Sequence, residues 1–271
     1  MKNTFFFFIT IIISGVIIIG SYFFWTSKVD NATKTDLEST IDVNDDKKST
    51  NKKDKKKKDK EEVVEEESNE IELSERHEGI YEQLLSRVEA NEPVRILMIG
   101  SKRTVSDNIH LAEAFENRLE PELAELLELD EITMMDDSIF SFYNSDTYAA
   151  HKDNEYDFVI IEPFMLNNQG VLSYEDTESY INDVFADWSD KDTLVIVQPS
   201  AKTDALEYIV DRHNHLVEFM SGRPEIFIDA WAEIAEDETI EDYVGEGGIP
   251  NDDGINLWAD VLASYFVHVK E

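Results

Sequence analysis

Three short stretches of this 271-residue chain hold residue types that could do chemistry. The first, "IGSKRT", sets Gly100, Ser101, Lys102 and Arg103 directly after an apolar run. A serine on a sharp strand-to-helix turn can present its hydroxyl as a nucleophile, provided a base activates it. A Gly-Ser pair is also an ordinary turn and helix cap. The second, "EPFMLNNQG", places Asn167 and Asn168 just after Glu162-Pro163. Amide side chains there can donate to a developing oxyanion, or satisfy their own backbone in an Asx-turn. The third, "GEGGIPNDDGINLW", carries Glu246, Ile249 and Pro250 into an amphipathic helix. As a set, Ser101, Lys102, Arg103 and Asn167 could instead form a polar pocket for a sugar or an acyl group. The glycines after the first strand are too few for a dinucleotide loop.

These groups need elements to bring them together. The runs 94–100, 131–135, 157–164, 193–200 and 225–231 are short, nearly continuous and apolar, as parallel strands covered on both faces are. Between and around them lie helical patterns over 72–90, about 107–127, 138–150, 175–188, 203–221 and 251–269. The last has Leu257, Val261, Leu262, Tyr265 and Phe266 on one face. Alternating strands and helices predict a three-layer α/β/α sandwich around a five-stranded parallel sheet. In such sheets functional groups collect at the carboxyl ends of the strands, which is where all three stretches fall.

The six histidines, His77, His110, His151, His213, His215 and His268, all lie outside these stretches. His213 and His215 stand two apart in a helical pattern and so point to different faces. They read as surface histidines, and no metal site is expected.

Outside residues 71–271 the composition changes abruptly. After a four-residue tail (1–4), residues 5–25 are almost wholly apolar and end in Tyr22, Phe23, Phe24 and Trp25. As a helix this run would be roughly 30 Å long, enough to cross a bilayer, with the aromatics at one interface. No small-x-small cleavage site follows, and there is no cysteine to carry a lipid. The expectation is an uncleaved transmembrane anchor in the cell membrane, with the C-terminal domain extracellular. Residues 26–70, with the block "KKSTNKKDKKKKDK" and then "EEVVEEESNE", read as a charged linker unable to bury enough apolar surface to fold. The lysine block could also hold an anionic surface. Residues 61–271 contain twelve Lys and Arg against 52 Asp and Glu. So acidic a domain excludes nucleic acid as a partner.

Taken in order, the strand-one turn, "EPFMLNNQG", "VIVQPS" and "PNDDGINLWADVLASYF" resemble the SGNH/GDSL hydrolase family, most closely its anchored bacterial members. The resemblance implies a flavodoxin-like fold and ester hydrolysis or acyl transfer without a cofactor, often on cell-wall or capsular polysaccharide. It puts Asn167 at the oxyanion asparagine and Asn168 where the family commonly has Asp. It also exposes departures. In the family's Gly-Asp-Ser block Gly100 matches, Ser101 stands at the Asp and Lys102 at the nucleophile, so Ser101 could attack only from a turn shifted by one residue. In the Asp-x-x-His block Glu246 stands at the Asp and Ile249 at the His. The resemblance therefore implies either an esterase with a rebuilt triad or a binding protein that has lost one.

Overall fold

The computed structural model describes residues 71–268, apart from 190, 203–206 and 246. The apolar run 5–25, the linker 26–70 and Glu246 lie outside the described residues. Among those described, no helix is long and apolar enough to cross a membrane.

Five strands form one parallel sheet: β1 (Val94–Ser101), β2 (Leu127–Met134), β3 (Phe158–Ile161), β4 (Leu194–Val197) and β5 (Ile226–Phe227), in the order β2-β1-β3-β4-β5. Alternate side chains leave the sheet on opposite faces. Ile96, Met98, Phe158 and Ile160 enter one core with Ile80 and Leu84 of α1 (Glu78–Ala90) and Phe115 of α2 (Leu111–Glu116). Trp231 of α8 (Ala230–Asp237) and Trp258 of α9 (Asp252–Ala263) close that side. Leu97, Ile99, Val159 and Ile161 enter the other core. There they meet Phe142 of α4 (Ile139–Tyr143), Tyr148 of α5 (Asp146–His151), Trp188 of α6 (Tyr174–Ser189) and Leu216 of α7 (Glu207–Met220). Because both faces of the central strands are covered, those strands read as unbroken apolar runs. Each fully buried Leu, Ile or Phe adds roughly 1.5–3 kcal/mol, so these two cores are what hold the strand ends in place.

The three-layer sandwich is as expected, while several element boundaries differ. The pattern over 107–127 yields two short helices, α2 and α3 (Pro121–Ala124), because Pro121 opens a new first turn. Strand β2 then begins at Leu127, not 131. It is an edge strand, in which partly buried Leu127 and Leu129 alternate with Glu128 and Asp130, and this dilutes its apolar signal. The pattern 138–150 divides between α4 and α5, where the Ser145 hydroxyl accepts from Tyr148 N. Strand β5 has two residues, since Asp229 caps α8 by accepting from Ala232 N. Helix α1 starts at Glu78 and α9 stops at Ala263. The residues beyond them, Leu73 and Val267, pair with one another as an antiparallel bridge.

Candidate functional site

Parallel register aligns Ile99, Ile161 and Val197, so the segments leaving these three strands meet at one edge. Gly100 begins that edge. A Cβ there would lie 2.3 Å from Thr104 Oγ1 and 2.4 Å from its Cγ2, so only glycine lets the chain fold back this tightly. Thr104 seals the turn by donating from Oγ1 to the Ser101 carbonyl at 2.9 Å. Ser101 is fully buried. Its N–H donates to Glu162 Oε2 at 3.2 Å, and its Oγ accepts from the Arg103 N–H at 3.3 Å, capping the 3-10 turn Lys102–Thr104. Among the described residues the Ser101 hydroxyl meets that amide and no histidine.

Lys102 and Arg103 part company here. The Lys102 ammonium leaves the turn and donates to Asp136 at 2.8 Å, a pairing that holds the exposed Asp136 carboxyl below its ordinary pKa. The Arg103 side chain goes inward and is only 4% exposed. Its Nη1 donates to Asn167 Oδ1 and its Nη2 to the Gly247 carbonyl at 3.1 Å, while Nε is enclosed with no hydrogen-bond partner. Burial pushes the guanidinium pKa down, and the field of Glu162, followed by Tyr208 and Asp136, opposes that shift.

The two asparagines are held in place just as firmly. Asn167 receives Arg103 on its oxygen and donates Nδ2 to the Asp137 carbonyl at 2.9 Å. Asn168, fully buried, accepts Ile139 N at 2.9 Å and so anchors the start of α4. The loop carrying them turns through Phe164, a non-glycine residue at φ 57°, a conformation costing on the order of 1–3 kcal/mol. Stacking of Phe164 on Phe142, with ring centroids 5.1 Å apart, helps hold it there.

Two groups were not singled out from the sequence. Glu162, buried at the end of β3, accepts the Ser200 hydroxyl at 2.6 Å besides Ser101 N. Gln198, buried after β4, receives the Trp258 indole N–H. The signal for both was present, because each is the polar residue that ends a buried strand just before a proline. The loop before α9 turns out to be a cap. Ile249 accepts Gly245 N at 2.8 Å, Asn251 Oδ1 accepts Gly254 N at 2.8 Å, and Gly254 has no room for a Cβ, which would sit 2.4 Å from the Tyr243 carbonyl.

Beside this buried group runs an open cleft of about 730 Å³, lined by Lys102, Ser106, Asn108, Ile249 and Asp252 among others. Asp252 accepts Ser106 Oγ at 2.5 Å and Asn108 Nδ2 at 2.8 Å, and those bonds hold its carboxyl below the usual range. A cavity of similar size, about 750 Å³, lies by Arg87, Asp157 and Lys191, before the amino ends of β3 and β4. Sites in parallel α/β sheets form at the carboxyl edge, so the Lys102–Asp252 cleft is the candidate.

One histidine assignment needs correction. His213 is not a surface residue: its side chain is 9% exposed, and Nε2 lies 3.1 Å from Asp229 Oδ2. It faces inward because α7 packs on the sheet through Ile209, Arg212 and Leu216, and position 213 falls on the margin of that stripe. His215, on another face, lies 2.8 Å from Glu178. Among the described residues no group of His, Asp and Glu has the arrangement of a metal site.

A doubly wound parallel sheet with its polar residues gathered at the carboxyl edge defines a flavodoxin-like α/β protein. Within that class the fold is that of the SGNH/GDSL hydrolases. A protein from Slackia heliotrinireducens assigned as an SGNH hydrolase superposes with a TM-score of 0.53 at 14% identity, over 64% of this chain and 99% of that one. A G-D-S-L family lipolytic protein from Desulfitobacterium hafniense gives 0.51 at 13% identity, over 64% and 99%. An acetyl esterase variant with bound acetate gives 0.50 at 12% identity, over 63% and 94%. No family profile matches the chain, and no curated protein matches it.

Proposed function

We propose that this chain is a membrane-anchored SGNH-fold protein of the cell envelope that binds polyhydroxylated glycans in the Lys102–Asp252 cleft and forms no acyl-enzyme at Ser101. The observation that carries this reading is the burial of Ser101, whose hydroxyl accepts the Arg103 N–H, with Asn167 and the Gly247 carbonyl already taken by the Arg103 guanidinium. A serine hydroxyl without a base is a poor nucleophile, and loss of a triad member commonly costs about 10³–10⁶ in rate. The cleft beside it offers Lys102, Ser106, Asn108 and Asp252, the mixture of donors and acceptors that sugar hydroxyls require.

Titration of the detergent-solubilised full chain with O-acetylated and unmodified cell-wall or capsular polysaccharide tests the reading. Saturable binding that Lys102→Ala weakens about tenfold supports it; no binding to any such polymer sinks it. The apolar run 5–25 and the acidic composition support an outward-facing domain, so protease treatment of intact cells should release it. Survival of the domain under conditions that strip other surface proteins would overturn that placement.

Ester hydrolysis is the second reading, and likeness in fold to an acetyl esterase favours it. It requires the turn to open so that Ser101 reaches solvent, and a base from outside the loop before α9.

A further inference from the structure

Away from the cleft, His213 belongs to a second polar group that the proposed function does not use. Helix α7 carries it into a small cavity lined by Ser200, Ala201, Ile209 and Leu216, with Met165 and Leu166 opposite. Gly248 lies against the same residues, since a Cβ there would come within 3.3 Å of Leu166 Cδ1, 3.5 Å of Ile209 Cδ1 and 3.6 Å of the Ala201 carbonyl. In the neutral ring, the carboxylate of Asp229, 3.1 Å from Nε2, places the proton on that nitrogen. Nδ1 then holds a lone pair. It is enclosed and meets no donor, in a side chain 9% exposed. A buried acceptor left without a donor is destabilising, so the cavity needs a donor.

Among the described residues, no side chain on the cavity wall can supply one. Met165, Leu166, Pro199, Ala201, Ile209 and Leu216 have no side-chain donor, and the Ser200 hydroxyl proton is directed to Glu162 Oε1 at 2.6 Å. The cavity measures about 10 Å³, the size at which one water fits. We propose that it is a one-water site, in which the water donates one proton to His213 Nδ1 and the other to Ser200 Oγ. Donation then runs outward from the water both ways, through His213 to Asp229 on one side and through Ser200 to Glu162 on the other, with Glu162 also receiving Ser101 N. The result is a hydrogen-bonded chain that joins the Asp229–His213 pair to Glu162, the carboxylate that receives the Ser101 N–H of the strand-one turn. It sets an oriented histidine one water and one hydroxyl away from Glu162. This inference is independent of glycan binding in the cleft.

Long-range proton–nitrogen NMR of the full chain labelled with ¹⁵N-histidine tests it, because the chain has only six histidines and His213→Gln identifies the signal. The expected result is a neutral His213 protonated on Nε2, with Nδ1 at the shift of a hydrogen-bonded acceptor. Ser200→Ala, which removes one of the water's two acceptors, should move that shift while the other five histidine signals stay in place. A free-acceptor shift for Nδ1 in the wild type would overturn the site, as would a His213 protonated on Nδ1. If Ser200→Ala scatters all six signals, Ser200→Thr keeps the hydroxyl and should leave the Nδ1 shift near that of the wild type. A change as large as that caused by Ser200→Ala would count against the hydrogen-bonded chain.

Discussion

Lys102 and Arg103 are neighbours in the chain and opposites in circumstance. The arginine is sealed in a lattice with Asn167, Gly247 and, through its field, Glu162, while the lysine opens onto the cleft with a highly exposed partner, Asp136. The difference separates where structure is held from where a ligand can be met. Polar groups at the strand ends bond to one another out of solvent, whereas those further out bond to one another on the open wall of the cleft. The buried region forms a polar core beside the two apolar ones.

The comparison predicts that substitutions on the buried side cost stability and those on the open side cost binding. Gly100→Ala should have the largest effect, since its Cβ would overlap both Thr104 Oγ1 and Cγ2. Overpacking of that severity costs about 3 kcal/mol, a fall in Tm of roughly 6–12 °C for a domain this size. Calorimetry that showed Gly100→Ala unchanged would mean the turn is looser than described. Arg103→Met comes next. It leaves Asn167 Oδ1 and the Gly247 carbonyl without their donor but also removes a buried charge, for a net loss of about 2 kcal/mol. If Arg103→Met melts like the wild type, the lattice is not what holds the loop before α9.

Lys102→Ala should sit at the other extreme. Its pair with Asp136 is a solvent-screened surface salt bridge, a kind that adds little stability, so melting should barely move even as glycan binding falls. An equal loss of stability and binding would erase the distinction between the two regions. The smallest effect concerns acid. The Asp136 and Asp252 pKa values are lower in the folded state than unfolded, so their stabilising contribution is present above the ordinary carboxylate pKa of about 3.9. It is lost as pH falls through the depressed folded values. Asp252→Asn should therefore lower stability slightly between about pH 5 and 7 and flatten the acid limb of the unfolding curve, so that variant and wild type converge as pH falls. Equal stability at neutral pH with a difference confined to acid would point to a different group.

Much of this architecture was legible in the residues. Strands covered on both faces declared themselves as apolar runs, and the glycine at position 100 marked the turn correctly. Edge strand β2 was harder, because half its side chains face water, and the short helices were hidden by a pattern that ignores Pro121 and the Ser145 cap. At the site, Ser101, Arg103 and Asn167 were legible as a polar group but not as a closed one. Whether a serine or an arginine is buried depends on what the neighbouring strand ends bring, and Glu162 and Ser200 come from 61 and 99 residues further along the chain. His213 shows the same limit: helical spacing separated it correctly from His215, but not which face meets Asp229.

The most direct test of the account is labelling of the full chain by a serine-reactive fluorophosphonate, with Ser101→Ala alongside. The account predicts no labelling of folded protein, because Ser101 is fully buried with its hydroxyl engaged by the Arg103 N–H of the turn. Stoichiometric labelling that disappears in Ser101→Ala would contradict it and make this chain a working hydrolase whose turn opens.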